Sequence, residues 1–80
     1  MDTHDEELVK QLAPEHPGLR RSYERHAKLK AEVEELSARP HLTTDEELHR
    51  RELQKEKLAE KDRLMRMLGE ARRGEASSEA

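Results

Sequence analysis

The sequence predicts an all-α fold: a long antiparallel helical hairpin, coiled-coil-like, with a short N-terminal helix. Three observations predict it. Apolar residues between positions 17 and 37 recur at alternating intervals of three and four. A second helix-length charged segment occupies 44–73. One punctuated break, Ala38-Arg39-Pro40-His41-Leu42-Thr43, separates the two. The chain has 80 residues, of which 44% are charged, with one aromatic and no Cys. Such a composition can do little more than fold helices against each other.

The first element is short. Thr3-His4-Asp5-Glu6 has the Ser/Thr-x-x-Glu form of a capping box, and Leu8, Val9 and Leu12 follow at one-face spacing. Pro14 and Pro17-Gly18 then break the run, because proline disfavours helix in the residue before it. The expected helix spans 4–13.

Pro17 suits the first position of the next helix, where its missing N–H removes no bond. Beyond it Leu19, Ser22, His26, Leu29, Val33 and Leu36 form an a/d seam of almost three heptads. Ser37 and Pro40 end this helix, giving 17–37.

The last helix opens at Thr43-Thr44-Asp45-Glu46-Glu47, where either threonine can make a capping box with Glu46 or Glu47. It is expected to end near Arg73, with Gly74 as the C′ residue. Leu53, Leu64, Met67, Leu68 and Ala71 share one face, while Leu58 and Met65 lie well over a quarter-turn away. The pair is either ordinarily exposed or a second contact, to another copy or to a helical protein partner.

Lengths fit a tucked hairpin. At 1.5 Å per residue the two long helices measure roughly 30 and 45 Å, so the second overhangs. The short helix can then cover Leu64, Met67, Leu68 and Ala71 with Leu8, Val9 and Leu12. The expected domain is 1–74, with a disordered tail at 75–80.

Composition bounds the function. Eleven Leu, two Val, three Met and Tyr23 make a thin core, worth about 3–5 kcal/mol in so short a chain. Self-association or a partner is the expected reinforcement. Sixteen basic residues against 19 acidic leave a net charge of −3, so no global field favours nucleic acid. The acidic start Met1-Asp2-Thr3-His4-Asp5-Glu6-Glu7 lacks the basic character of a secretory signal. No apolar run exceeds two residues, which excludes a membrane span. The expectation is a cytoplasmic chain.

The residues resemble the YdcH-like family of small bacterial proteins of unknown function. Glu15-His16-Pro17-Gly18-Leu19 matches that family's Glu-x-Pro-x-apolar approach to the long helix. Tyr23-Glu24-Arg25-His26-Ala27-Lys28-Leu29 matches its aromatic, basic, His and Leu positions, and Val33 its branched aliphatic. Lys55-Glu56-Lys57-Leu58-Ala59-Glu60-Lys61-Asp62 matches its Lys-x-Lys-Leu-x-Leu-Lys-Asp signature. The match runs from residue 8 to about 68. This chain departs at Lys30, where an Asp is usual, at Glu60, which replaces the second Leu, and at Ser22, usually apolar. The resemblance implies a helical hairpin that can associate with itself, and no activity.

His26 is a polar group at a seam position. It is either a register-setter or pH-sensitive contact, or a His hydrogen-bonded across the hairpin to Glu60 or Asp62. Glu46-x-x-His49 has the spacing of di-iron bundles, but one copy in a capping turn makes no metal site. The chain has no Cys, no Gly-rich phosphate loop and no expected pocket for a small-molecule substrate, so neither a cofactor nor catalysis is expected.

Charge is uneven along the hairpin. Arg20, Arg21, Arg25, Lys28 and Lys30 meet Lys61, Arg63, Arg66, Arg72 and Arg73 at the open end. The turn end holds Glu32, Glu34, Glu35, Asp45, Glu46 and Glu47 against Arg39. The basic end could dock on RNA or a ribonucleoprotein, with Arg20, Arg21, Arg25, Arg63 and Arg66 as contacts. Alternatively the acids of the tucked helix neutralise it. No aromatic interleaves these residues to stack bases.

Overall fold

A computed structural model describes residues 3–79, with side chains as far as 74. Helix α1 spans Thr3–Leu12 and runs into a 3₁₀ turn at Ala13–Glu15. Helix α2 spans Pro17–Ser37 and helix α3 spans Thr44–Glu79. No strand occurs among the described residues, so the fold is all-α. The molecule measures 55 × 18 × 17 Å, and at 1.5 Å per residue the 36 residues of α3 alone span about 54 Å.

The boundaries follow local chemistry. Pro14 and Pro17 tighten the chain into the 3₁₀ turn, and Pro17 opens α2, whose first external bond runs from the Arg20 N–H to the His16 carbonyl at 3.1 Å. At the start of α3 the capping box forms on Thr43. The Glu46 N–H donates to Thr43 Oγ1 at 3.1 Å, and the Thr43 N–H donates back to Glu46 Oε1 at 3.0 Å. Glu47 turns instead to Arg50, whose Nη2 donates at 2.6 Å. Arg39 adds a tie across the connection, bonding both Glu35 at the end of α2 and Glu46 in the first turn of α3. These contacts hold the Glu46 carboxyl below its usual pKa, the Thr43 backbone bond first among the causes.

Replacing Thr43 with Ala should therefore cost about 1 kcal/mol and lower the Tm by roughly 4–8 °C in a domain this size. Thr44→Ala should leave the melt unchanged, since the Thr44 side chain takes no part in the box. Equal effects at the two positions would refute this assignment of the cap.

The far end of α3 departs from the sequence expectation. The helix does not stop at Arg73 with Gly74 as a left-handed C′ residue, and residues 75–79 are helical. No glycine has a positive φ. A glycine inside a helix costs only about 1 kcal/mol relative to Ala, and no proline follows to enforce a stop. Residues 1, 2 and 80 lie outside the described residues, so the expected tail is described only as far as Glu79.

Apolar burial falls in two clusters. The first joins Val9 and Leu12 of α1, Leu19 of α2, and Leu64, Leu68 and Ala71 of α3, flanked by Leu8, Tyr23, Met65 and Met67. The second joins Val33 and Leu36 of α2 to Leu53 of α3, flanked by Leu29 and Leu42. Val9 and Leu64 are fully buried, because all three helices converge there.

Candidate functional site

Between the two apolar clusters lies a polar layer. Ser22 and His26, one turn apart on α2, are buried, and so is Glu60 of α3, at 4% exposure. Ser22 Oγ donates to Glu60 Oε1 at 2.6 Å across the seam. Arg63, one turn along α3, donates through Nη1 to Glu60 Oε2 at 3.2 Å, and Arg25 Nε stands 3.9 Å from the same oxygen. A buried carboxylate needs this many partners, since an unpaired one forfeits several kcal/mol of hydration. No buried side-chain polar atom among the described residues lacks a hydrogen bond.

Sequence reasoning placed Ser22 and His26 in the seam and named Glu60 as a partner for His26, but did not anticipate the bond from Ser22. The available signal was that Glu60 replaces a leucine of the family signature and Ser22 an apolar residue. The two departures are partners. Glu60 is engaged by Ser22, Arg63 and Arg25 rather than by His26, and Asp62 is exposed.

His26 therefore sits in the layer without an acid of its own. Burial holds its imidazole below the usual pKa of 6.5, and the cations Lys30, Lys57 and Lys61 push the same way. The unfolded chain then takes up the proton first. Stability conferred by neutral His26 is present above about pH 6.5 and is lost as pH falls toward the lowered folded-state pKa. The stability difference between wild type and His26→Leu should widen in favour of the variant from pH 7.5 to pH 5. A difference that grows in the opposite sense would mean that Glu60 dominates the imidazole after all.

The cationic candidates divide. Arg25 and Arg63 face Glu60, and Arg20 stands 3.9 Å from Glu24. Arg21 and Arg66 are exposed, with no ion pair found among the described residues. Of the apolar candidates, Leu58 is 56% exposed on the face of α3 turned away from the seam. Met65 is half-buried against the first cluster, at the edge of that face. Leu48, which sequence reasoning did not single out, is 53% exposed.

The hollows of the surface are open. One, about 710 Å³, lies beside the α2–α3 connection between Leu36, Leu42 and Leu48 and the Arg39, Arg50 and Arg51 side chains. A second, about 500 Å³, lies over the polar layer and is lined by Arg25, Lys28, Glu32, Glu56, Glu60 and Arg63. Its charges are mixed, and Glu60 among them is paired with Arg63 and Arg25. No group of three or more His, Asp or Glu suited to a metal occurs among the described residues. Among the described residues no helix is long and apolar enough to cross a membrane.

Fold and site together define a small all-helical protein whose buried seam carries a polar layer. The chain belongs to the DUF465 family, described as a protein of unknown function, which matches residues 19–68. The YdcH-like resemblance is compatible with that assignment. Neither the curated proteins nor the solved structures searched contain a match.

Proposed function

We propose that this chain is a small protein–protein interaction or scaffold module, not an enzyme, acting in the cytoplasm and associating with its own kind. In this reading α2 and α3 form an antiparallel, coiled-coil-like hairpin. The pairing of Leu19 with Leu64 and Leu68, and of Val33 and Leu36 with Leu53, supports that arrangement. One observation carries the functional reading. Leu58 is 56% exposed on the outer face of α3, where a single folded chain gives it nothing to pack against.

Sedimentation over a range of concentrations tests the idea. The wild-type chain should associate, and Leu48→Lys with Leu58→Lys should lower the assembly state while leaving helicity unchanged. A wild-type monomer at high concentration refutes the reading.

The alternative is an accessory factor docking on RNA or a ribonucleoprotein, and the exposed, unpaired Arg21 and Arg66 favour it. Against it, Arg20, Arg25 and Arg63 already face carboxylates. Salt-dependent retention on RNA would decide for this second reading.

A further inference from the structure

Beyond the exposure of Leu58, α3 carries a complete outer seam. Leu48, Arg51, Lys55, Leu58, Asp62 and Met65 recur at intervals of three and four, which places them on one face. All but Met65 are exposed, and Met65 is half-buried. We propose that this face is the surface on which a second copy of the chain docks, with the two α3 helices antiparallel about a two-fold axis midway between Lys55 and Leu58. The proposal rests on the self-association reading and adds the face, orientation and register.

Charge decides the orientation. With the axis there, Leu48 lies level with Met65 of the second copy, Arg51 with Asp62, and Lys55 with Leu58. Each ionic layer joins opposite charges, and two-fold symmetry makes it twice. Arg51 is 70% exposed, with a single contact at 3.7 Å to Glu47, and Asp62 has no ion-pair partner among the described residues. The flanks agree, because two-fold symmetry sets Glu47 on the same side of the seam as Lys61 of the other copy, and Glu52 on the same side as Arg66. A parallel, in-register pairing would instead oppose Arg51 to Arg51, Lys55 to Lys55 and Asp62 to Asp62. The Lys55 stem can lie along Leu58 while its ammonium stays in water.

The full-length chain provides the test. Arg51→Asp and Asp62→Arg should each raise the dissociation constant about tenfold by sedimentation, since each sets like charges together in two symmetry-related layers. The double variant exchanges the charges and should restore it. Thermal melts at dilute concentration confirm that each variant is folded. The absence of native Cys allows a second measurement. Leu48→Cys mixed with Met65→Cys should form a disulfide-linked heterodimer faster than Leu48→Cys links to itself. Association unaffected by Arg51→Asp, or faster Leu48→Cys self-linking, overturns the register and orientation while self-association stands. A monomeric wild type overturns both.

Discussion

Leu64→Ala is expected to unfold the protein at 25 °C. Leu64 is fully buried in the cluster where α1, α2 and α3 meet. Truncating such a leucine removes its transfer energy and leaves a cavity, together about 2–5 kcal/mol. A core this small supplies only about 3–5 kcal/mol in total, so the loss is comparable to the whole stability. Circular dichroism should show helicity collapsing along the entire chain, because both buried residues of α1, Val9 and Leu12, belong to this cluster. Leu58→Ala makes the comparison. The same chemical change at a 56% exposed position should move the melt little in the monomer. A Leu64→Ala protein with wild-type helicity and Tm would mean that the core lies elsewhere.

The polar layer should produce an inversion of sign. Ser22→Ala removes a hydrogen bond to a buried carboxylate, a loss of about 1.5–3 kcal/mol for a bond to a charged group. Glu60→Leu, by contrast, is expected to stabilise. It relieves the burial of an ion, adds apolar contact, and leaves Arg25 and Arg63 free to be hydrated, since both are at least half exposed. Replacing buried ionic groups with well-packed apolar ones is often neutral or stabilising by about 1–4 kcal/mol. In the Glu60→Leu background, Ser22→Ala should cost nothing. Urea titration of the four proteins closes the cycle. Additive effects would mean that Ser22 and Glu60 do not share a bond in solution.

The polar layer also marks where sequence reading stopped. Leu19, Ser22, His26, Val33 and Leu36 announce their face through spacing alone, and all five are buried. Helical period is a geometric constraint that survives any choice of side chain. Glu60 belongs to the same register on α3, yet a glutamate in a charged helix reads as solvated. Only its partner across the seam makes its burial tolerable, and partners are not local information. Met65 failed the opposite way. A two-helix seam leaves it outside, but it is half-buried against the cluster that α1 joins. The choice of Thr43 over Thr44 turned on a single hydrogen-bond register that both sequences of capping residues allow. The end of α3 was misjudged because glycine permits a left-handed stop without requiring one. The outer face was half legible. Leu58 was visible as an outlier, but its alignment with Leu48, Arg51 and Asp62 emerges only once the inner face is known.

The placement of the ties along the chain has a kinetic consequence. Arg39 and Glu46 are 7 residues apart, whereas Ser22 and Glu60 are 38 apart. Loop-closure entropy grows with the length enclosed, so the turn is the cheapest place to begin. Each contact made there shortens the span that the next must close. The chain then zips from the connection, meets the polar layer midway, and seats α1 last. In that order the Thr43 box belongs to the nucleus. The Thr43→Ala protein should accordingly fold more slowly while unfolding at nearly the wild-type rate. An altered unfolding limb would place the nucleus at the opposite end, where α1 arrives.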